Sequence, residues 1–318
     1  MDVVCLGILV ADVFSSPIDS LPAAGELRLT DRFMLRVGGC AANTAVDLRR
    51  LGRTVRVLGK VGEDLFGQFV LGDLERLGID TSTVARSATH PTSATCIVNV
   101  RGEDRRFIHC IGANADFSLA DIDFSTLEGA RALYVGGYLV MPNFGPEDLA
   151  QLLREAKRRG LITALDIVIP AGMPPSLDQI RQALPYTDVF LPNQDEARAL
   201  TGQNDPRDQA EVFAQLNPEC TIVITQGRAG ALAKRGSQVV QAGVYKVESI
   251  DGSGAGDAFD AGFLLGVLEN WPLDYTLRFA SAVGASCTRA LGCTDGVFQF
   301  DEAVAFVAEN PLEITAIR

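Results

Sequence analysis

Histidine is nearly absent from this chain: His90 and His109 are the only two in 318 residues. With so few imidazoles, and no cysteine or histidine at the short spacings of tetrahedral sites, a zinc centre is not expected. No CxxC pair occurs, and the cysteine count is odd at seven. Cys5, Cys40, Cys96, Cys110, Cys220, Cys287 and Cys293 therefore read as free thiols in a reducing compartment, not as a disulfide framework. GxxxxGK[ST] is missing, which excludes a Walker A loop, and so is GxGxxG, which removes the dinucleotide-binding fingerprint. Positive charge is also short. The net charge of −12 leaves little material for a nucleic-acid-binding face. No apolar run is long enough to span a bilayer. The N-terminus has neither the basic segment nor the cleavage site of a secretory signal. The expectation is a cytoplasmic protein with no membrane or nucleic-acid partner.

What is present suits a large buried sheet. Hydrophobic residues make up 47% of the chain, enough for a core with two covered faces. An apolar run, Val3 to Val10, reads as a buried strand ending at Asp12. Gly38-Gly39 open a helix that Gly52 stops. Ala94–Val100 and Arg106–Ile111 read as a hairpin. From Ala132 onward strands alternate with helices: Ala132–Val135, Pro146–Arg159, Ile162–Ile167, a helix near Asp178–Leu184, Asp188–Leu191, Gln194–Leu200, Thr221–Thr225. That alternation predicts a parallel sheet with helices on both faces. No linker or repeat interrupts it. The reading is one α/β domain over residues 1–318. Two β insertions, approximately 12–37 and 92–110, pair into a small lid.

Four segments carry chemistry. In Asp251-Gly-Ser-Gly-Ala-Gly-Asp257, the small residues Gly254, Ala255 and Gly256 let backbone N–H groups approach an anion at the start of a helix. Asp257 puts a carboxylate beside that anion hole, as phosphoryl transfer to an alcohol requires. In Gly38-Gly-Cys-Ala-Ala-Asn43, Gly39 permits close approach at a helix start, and Asn43 offers a donor and an acceptor to sugar hydroxyls. Asp12 is a second hydroxyl acceptor, though either polar residue alone is equally a cap or turn residue. Asn193 and Glu196 stand one turn apart, as oxygen donors for a partly hydrated Mg²⁺ or as a plain capping box. Thr225 and Gly227 follow a strand, where a hydroxyl and a glycine amide suit nucleotide phosphates or form an ordinary turn. Arg105 and Arg106 are candidates for an anionic substrate group, or solvated charges of an edge strand.

The set and order of these motifs resemble the PfkB, or ribokinase-like, family of carbohydrate kinases. Gly254-Ala-Gly-Asp-Ala-Phe-Asp-Ala-Gly-Phe263 looks like the C-terminal signature of that family. Gly38 to Asn43, with Leu51-Gly52 and Gly59-Lys-Val-Gly-Glu-Asp-Leu-Phe-Gly67, looks like its N-terminal one. Gly112-Ala-Asn-Ala115 also looks like sugar-kinase members, so the resemblance runs from Gly7 to about Gly296. It implies a three-layer α/β/α sandwich with a small β-sheet lid that often mediates homodimerisation. It implies ATP and Mg²⁺ as cofactors and a sugar or nucleoside as substrate. Asp257 would be the base, with the 254–257 amides on the transferring phosphoryl group. Asp12, Gly39 and Asn43 would hold the sugar, Asn193 and Glu196 would organise Mg²⁺, and Thr225 and Gly227 would contact ATP. Asp251, Ser253 and Gly292 are the nearest matches to the monovalent cation (K⁺) site of many members. The chain departs from the commoner family pattern at Gly252, at Ser281 and at Ile167-Val168 after Asp166.

Within this reading the acceptor is a primary alcohol of a sugar, or a nucleoside gripped by the same residues, with Phe14, Phe33 or Phe107 as a platform for a base. A silent sugar-binding protein on the same fold is the reading from another class. Asp257 argues against it. A glycosidase on this scaffold would not need both glycine segments.

Overall fold

The first strand, Val3–Gly7, is buried along its whole length. Val3 and Cys5 point into one hydrophobic core, Val4 and Leu6 into a second on the other side. That is the signature of a strand covered on both faces. In this computed structural model, which describes residues 1–103, 106–170, 172 and 174–317, the strand lies inside a nine-stranded sheet. The order runs Val55–Leu58, Val3–Gly7, Ala132–Gly136, Ile162–Leu165, Val189–Phe190, Thr221–Thr225, Ala231–Arg235, Gln238–Ala242, Ile314–Ile317. Helices Cys40–Arg50, Leu65–Arg76, Ala255–Leu268, Leu273–Cys287 and Phe300–Glu309 supply one core, and Pro146–Arg158, Gln194–Thr201 and Pro206–Leu216 the other. This is the expected α/β/α sandwich. Among the described residues no helix is long and apolar enough to cross a membrane.

Two expectations change. The sheet is not wholly parallel: strands up to Thr221–Thr225 pair in parallel, and the last three pair antiparallel. Ala231–Arg235 and Gln238–Ala242 are joined by a two-residue turn at Gly236, which allows only a hairpin. Nor is Val3–Val10 one strand. Gly7 has φ +147°, and a Cβ there would lie 2.0 Å from the Gly136 carbonyl oxygen. The chain turns out of the large sheet, and Asn114 pins the turn: its Oδ1 accepts from Leu9 N–H and its Nδ2 donates to Leu9 O, both at 3.2 Å. Asp12 therefore belongs to a second strand, Val10–Ser15, and not to the carboxyl end of the first.

That second strand lies in a four-stranded sheet ordered Phe33–Gly38, Val10–Ser15, Ala94–Val98, Arg106–Cys110. Its central pair is parallel and its outer pairs are antiparallel. Asp12 stands opposite Arg36 and Thr95, and Thr95 opposite His109, so all four share a face. Arg106 pairs with Glu103 at the exposed turn. Arg105 lies outside the described residues.

Candidate active site

The helix Ala255–Leu268 starts from Gly254 in the left-handed region (φ 74°), and no side chain caps that end among the described residues. Its first N–H groups therefore face the cleft with the positive end of the helix dipole. Asp257 stands on this first turn. Asn43, from the helix Cys40–Arg50, donates through Nδ2 to Asp257 Oδ2 at 2.8 Å, and Thr44 Oγ1 donates to the Asp257 carbonyl at 3.4 Å. Gly39 caps the Asn43 helix at φ 92°, where a Cβ would meet Ile8 O at 2.4 Å. The glycine motif of one helix thus delivers an amide to the carboxylate of the other. Burial pushes the Asp257 carboxyl above its ordinary range, and hydrogen bonds from Asn43 and Cys40 oppose the rise.

Asp12 faces the same region from the small sheet. Its Oδ2 lies 3.8 Å from Cys293 Sγ and so close to Gly38 that a Cβ there would meet it at 1.9 Å. Burial raises its pKa to about 6, against hydrogen bonds from Thr95 and Cys293. This carboxylate is held in a site that disfavours its charge, so it weighs on the free protein. Asp12→Asn should therefore raise the melting temperature at pH 7–8. The cost of ionising Asp12 in the fold is on the order of 3 kcal/mol, or about 4 °C for a chain of this size. The sign follows from the folded pKa lying above the unfolded 3.8. The cost is full above about pH 6 and vanishes as pH falls to the unfolded value, so the advantage of the variant should shrink over that window. Thermal melts at several pH values check it; equal melting temperatures at pH 8 would show that Asp12 is not strained by its charge.

Around Asp257 other acids collect that sequence reading did not select. The Tyr134 hydroxyl donates to Asp260 Oδ2 at 2.9 Å, and Gly137 N–H donates to Asp166 Oδ2 at 3.1 Å. One ligand atom each from Cys40, Asp166 and Asp257 lie within 4.8 Å of one another. Burial raises Asp166 and Asp260, and their neighbouring carboxylates raise them further. A signal existed for Asp260, one turn beyond Asp257 on the same helix. Cys293 had none.

Asn193 and Glu196 form the capping box: Asn193 Oδ1 accepts from the N–H of Asp195 and Glu196, and Glu196 Oε2 accepts from Asn193 N–H, all at 2.9 Å. Burial nevertheless raises Glu196 to about 7, so its charge is poorly matched by the protein alone. It lines a hollow of about 520 Å³ with Thr225 and Gly227. Those two residues also border a cleft of about 1450 Å³, floored by Ala255 and Gly256 and reached by Ser281 and Tyr245. Arg101 and Glu103, from the turn of the small sheet, overhang that cleft. Asp251 accepts through Oδ1 from Ser253 N–H at 2.9 Å and through Oδ2 from Gly292 N–H at 3.1 Å, which brings those three residues together.

The start of the helix Ala255–Leu268, the Asp257 carboxylate and Asn43 come together at one side of the cleft, with Asp12 facing them from the small sheet. The sequence pattern of the pfkB family carbohydrate kinases matches residues 1–298. The chain belongs to that family. Among its relatives is a 5-dehydro-2-deoxygluconokinase of Clostridium perfringens, 25% identical over 98% of this chain and 94% of its own. A ribokinase of Haemophilus influenzae is 28% identical over 95% of this chain and 97% of its own. The solved ribokinase of Arabidopsis thaliana, complexed with ribose and ATP, shares the fold with a TM-score of 0.80 at 21% identity, covering 96% and 98% of the two chains. This pfkB-family protein is a kinase, and its reaction class is ATP-dependent phosphorylation of a sugar.

Proposed function

We propose that this kinase transfers the γ-phosphoryl group of ATP to a primary alcohol of a sugar or sugar-like substrate, with Asp257 as general base. The observation that carries the reading is the Asp257 carboxylate at an uncapped helix start, held at 2.8 Å by Asn43. Asp12 and the second N–H of Asn43 Nδ2 grip hydroxyls of the acceptor, with Gly39 leaving room for it. Asp257 takes the proton of the attacking hydroxyl. The alcohol oxygen then bonds to the γ-phosphorus while the bond to the ADP oxygen breaks, and the amides of Gly254, Ala255, Gly256 and Asp257 stabilise charge on the moving phosphoryl group. Thr225 and Gly227 position the ATP phosphates where the two hollows meet.

The oxygen donors and unmatched acid of Asn193 and Glu196 suit Mg²⁺, held partly through water. Such an ion would neutralise phosphate charge. Asp251, Ser253 and Gly292 are the residues for a K⁺ ion behind the anion hole, which stimulation of turnover by KCl over NaCl tests. The exposed apolar side chains of the small sheet, Phe33 at 70% and Ile108 at 69%, support a homodimer through that lid, and the free thiols fit a cytoplasmic setting. A nucleoside acceptor is the second reading: Phe14 and Phe107 flank Ile97 in one cross-strand row on the face of Asp12.

ATP turnover over a panel of sugars, sugar acids and nucleosides decides the acceptor. One panel member is expected to be phosphorylated with a Mg²⁺ requirement that Glu196→Gln raises about tenfold. Tight sugar binding with no turnover would favour a silent binding protein instead.

A further inference from the structure

Asp47 is a buried acid that the proposed chemistry does not use. It is fully buried, and neither carboxyl oxygen has a hydrogen-bond partner among the described residues. It lies four residues beyond Asn43 on the helix Cys40–Arg50, and residues at that spacing are neighbours on one helix face. Asn43 is itself 4% exposed, and its Oδ1 is unpartnered while its Nδ2 holds Asp257. Unpaired buried acceptors therefore lie on the helix stripe whose Asn43 holds the proposed base. The titratable groups facing Asp47 are Arg50 on its own helix, Asp257 on the helix Ala255–Leu268 and the neutral Cys287 thiol. Arg50 does not neutralise it: Nη1 of Arg50 donates to Val297 O at 3.2 Å, and its Nε has no partner.

An asparagine amide is nearly symmetric in shape, so something must decide which end faces Asp257. With the oxygen towards Asp257, two acceptors would oppose each other. An ionised Asp47 would draw Nδ2 away from Asp257. We propose that Asp47 is a positioning residue whose carboxylic O–H donates towards Asn43 Oδ1 and so fixes the amide with Nδ2 on Asp257. One proton on Asp47 satisfies an orphaned acceptor on each residue and sets the hydrogen bond that holds the base. Burial and the charge of Asp257 keep that proton on, pushing the acid well above its usual range. The inference rests on the reading of Asp257 as base.

Its test uses replacements that differ in donor capacity. Asp47→Asn keeps a donor towards Asn43 and should lose no more than about threefold in kcat, whereas Asp47→Leu, apolar and of similar bulk, should lose about tenfold to a hundredfold with the KM for ATP little changed. Circular dichroism and thermal melts establish that both fold. The side-chain amide resonance of Asn43, assigned by its loss in Asn43→Ala, should shift in Asp47→Leu and stay in place in Asp47→Asn. An Asn variant that falls as far as the Leu variant would overturn the proposal, because an ionised carboxylate would then be what matters. A folded Leu variant with an unmoved Asn43 resonance would overturn it too. The resonance does not depend on turnover, so failure of Asp257 as base, seen as an active Asp257→Asn, remains distinguishable.

Discussion

Asp257→Asn should lower kcat by about a thousandfold or more while the protein remains folded and binds its sugar. The amide is close in size to the carboxylate, so the helix start at Gly254 and the packing of Ala258 beneath it are preserved. What disappears is the proposed proton acceptor, held by Asn43 on one side and set at the helix start that lines the cleft through Gly256 on the other. The substitution also removes negative charge from a crowded site, because Asp166, Asp260 and Asp12 are all raised partly by Asp257. ATP affinity should therefore hold or tighten as kcat falls. That split between kcat and KM separates loss of a base from a general collapse of the site. Steady-state kinetics with the phosphorylated panel substrate, beside melting curves, make the measurement. Turnover within a few-fold of the parent would mean that the alcohol proton leaves by another route.

The same acids explain what could be read from the sequence. Gly39, Asn43 and the run Gly254 to Asp257 are legible because their chemistry is local: a glycine at a helix start and a polar residue one turn on announce themselves by spacing. The strand alternation after Ala132 is legible for the same reason. Asp12 is legible as a candidate hydroxyl acceptor, but its strand is not. The break at Gly7 depends on the Gly136 carbonyl and on Asn114, more than a hundred residues away. Asp166 and Cys293 reach the site only through sheet order and loop return, and no periodicity encodes either. Asn193 and Glu196 remained ambiguous because a capping box and a pair of metal-facing oxygens use the same residues at the same spacing. The structure contains the cap, and the raised acid within it leaves a charge that the cap does not match.

Two glycines two residues apart, Gly254 and Gly256, should respond in opposite directions on stability and alike on activity. Gly254 has φ +74°, and a Cβ there would lie 2.2 Å from the Cys293 carbonyl oxygen and 2.8 Å from the carbonyl carbon and Cα of that residue. All three are backbone atoms, so Gly254→Ala must displace either the helix start or the segment around Gly292 that Asp251 holds. The left-handed conformation adds a penalty of about 1 kcal/mol before any clash. The variant should melt several degrees lower and lose about a hundredfold or more in kcat, because the amides no longer converge on the phosphoryl group. Gly256 is already helical, and a Cβ there meets nothing within 4 Å. Gly256→Ala should therefore stabilise the protein by roughly 0.5–1 kcal/mol through helix propensity. Its methyl group, however, projects from the floor of the large cleft into the proposed nucleotide site. Turnover should fall while the melting temperature rises, since a phosphoryl oxygen can no longer reach the backbone. Melts and kinetics on the two variants check this directly. Undiminished turnover in Gly256→Ala would show that the phosphoryl group does not approach this turn of the helix, and the anion hole would have to be sought elsewhere in the cleft.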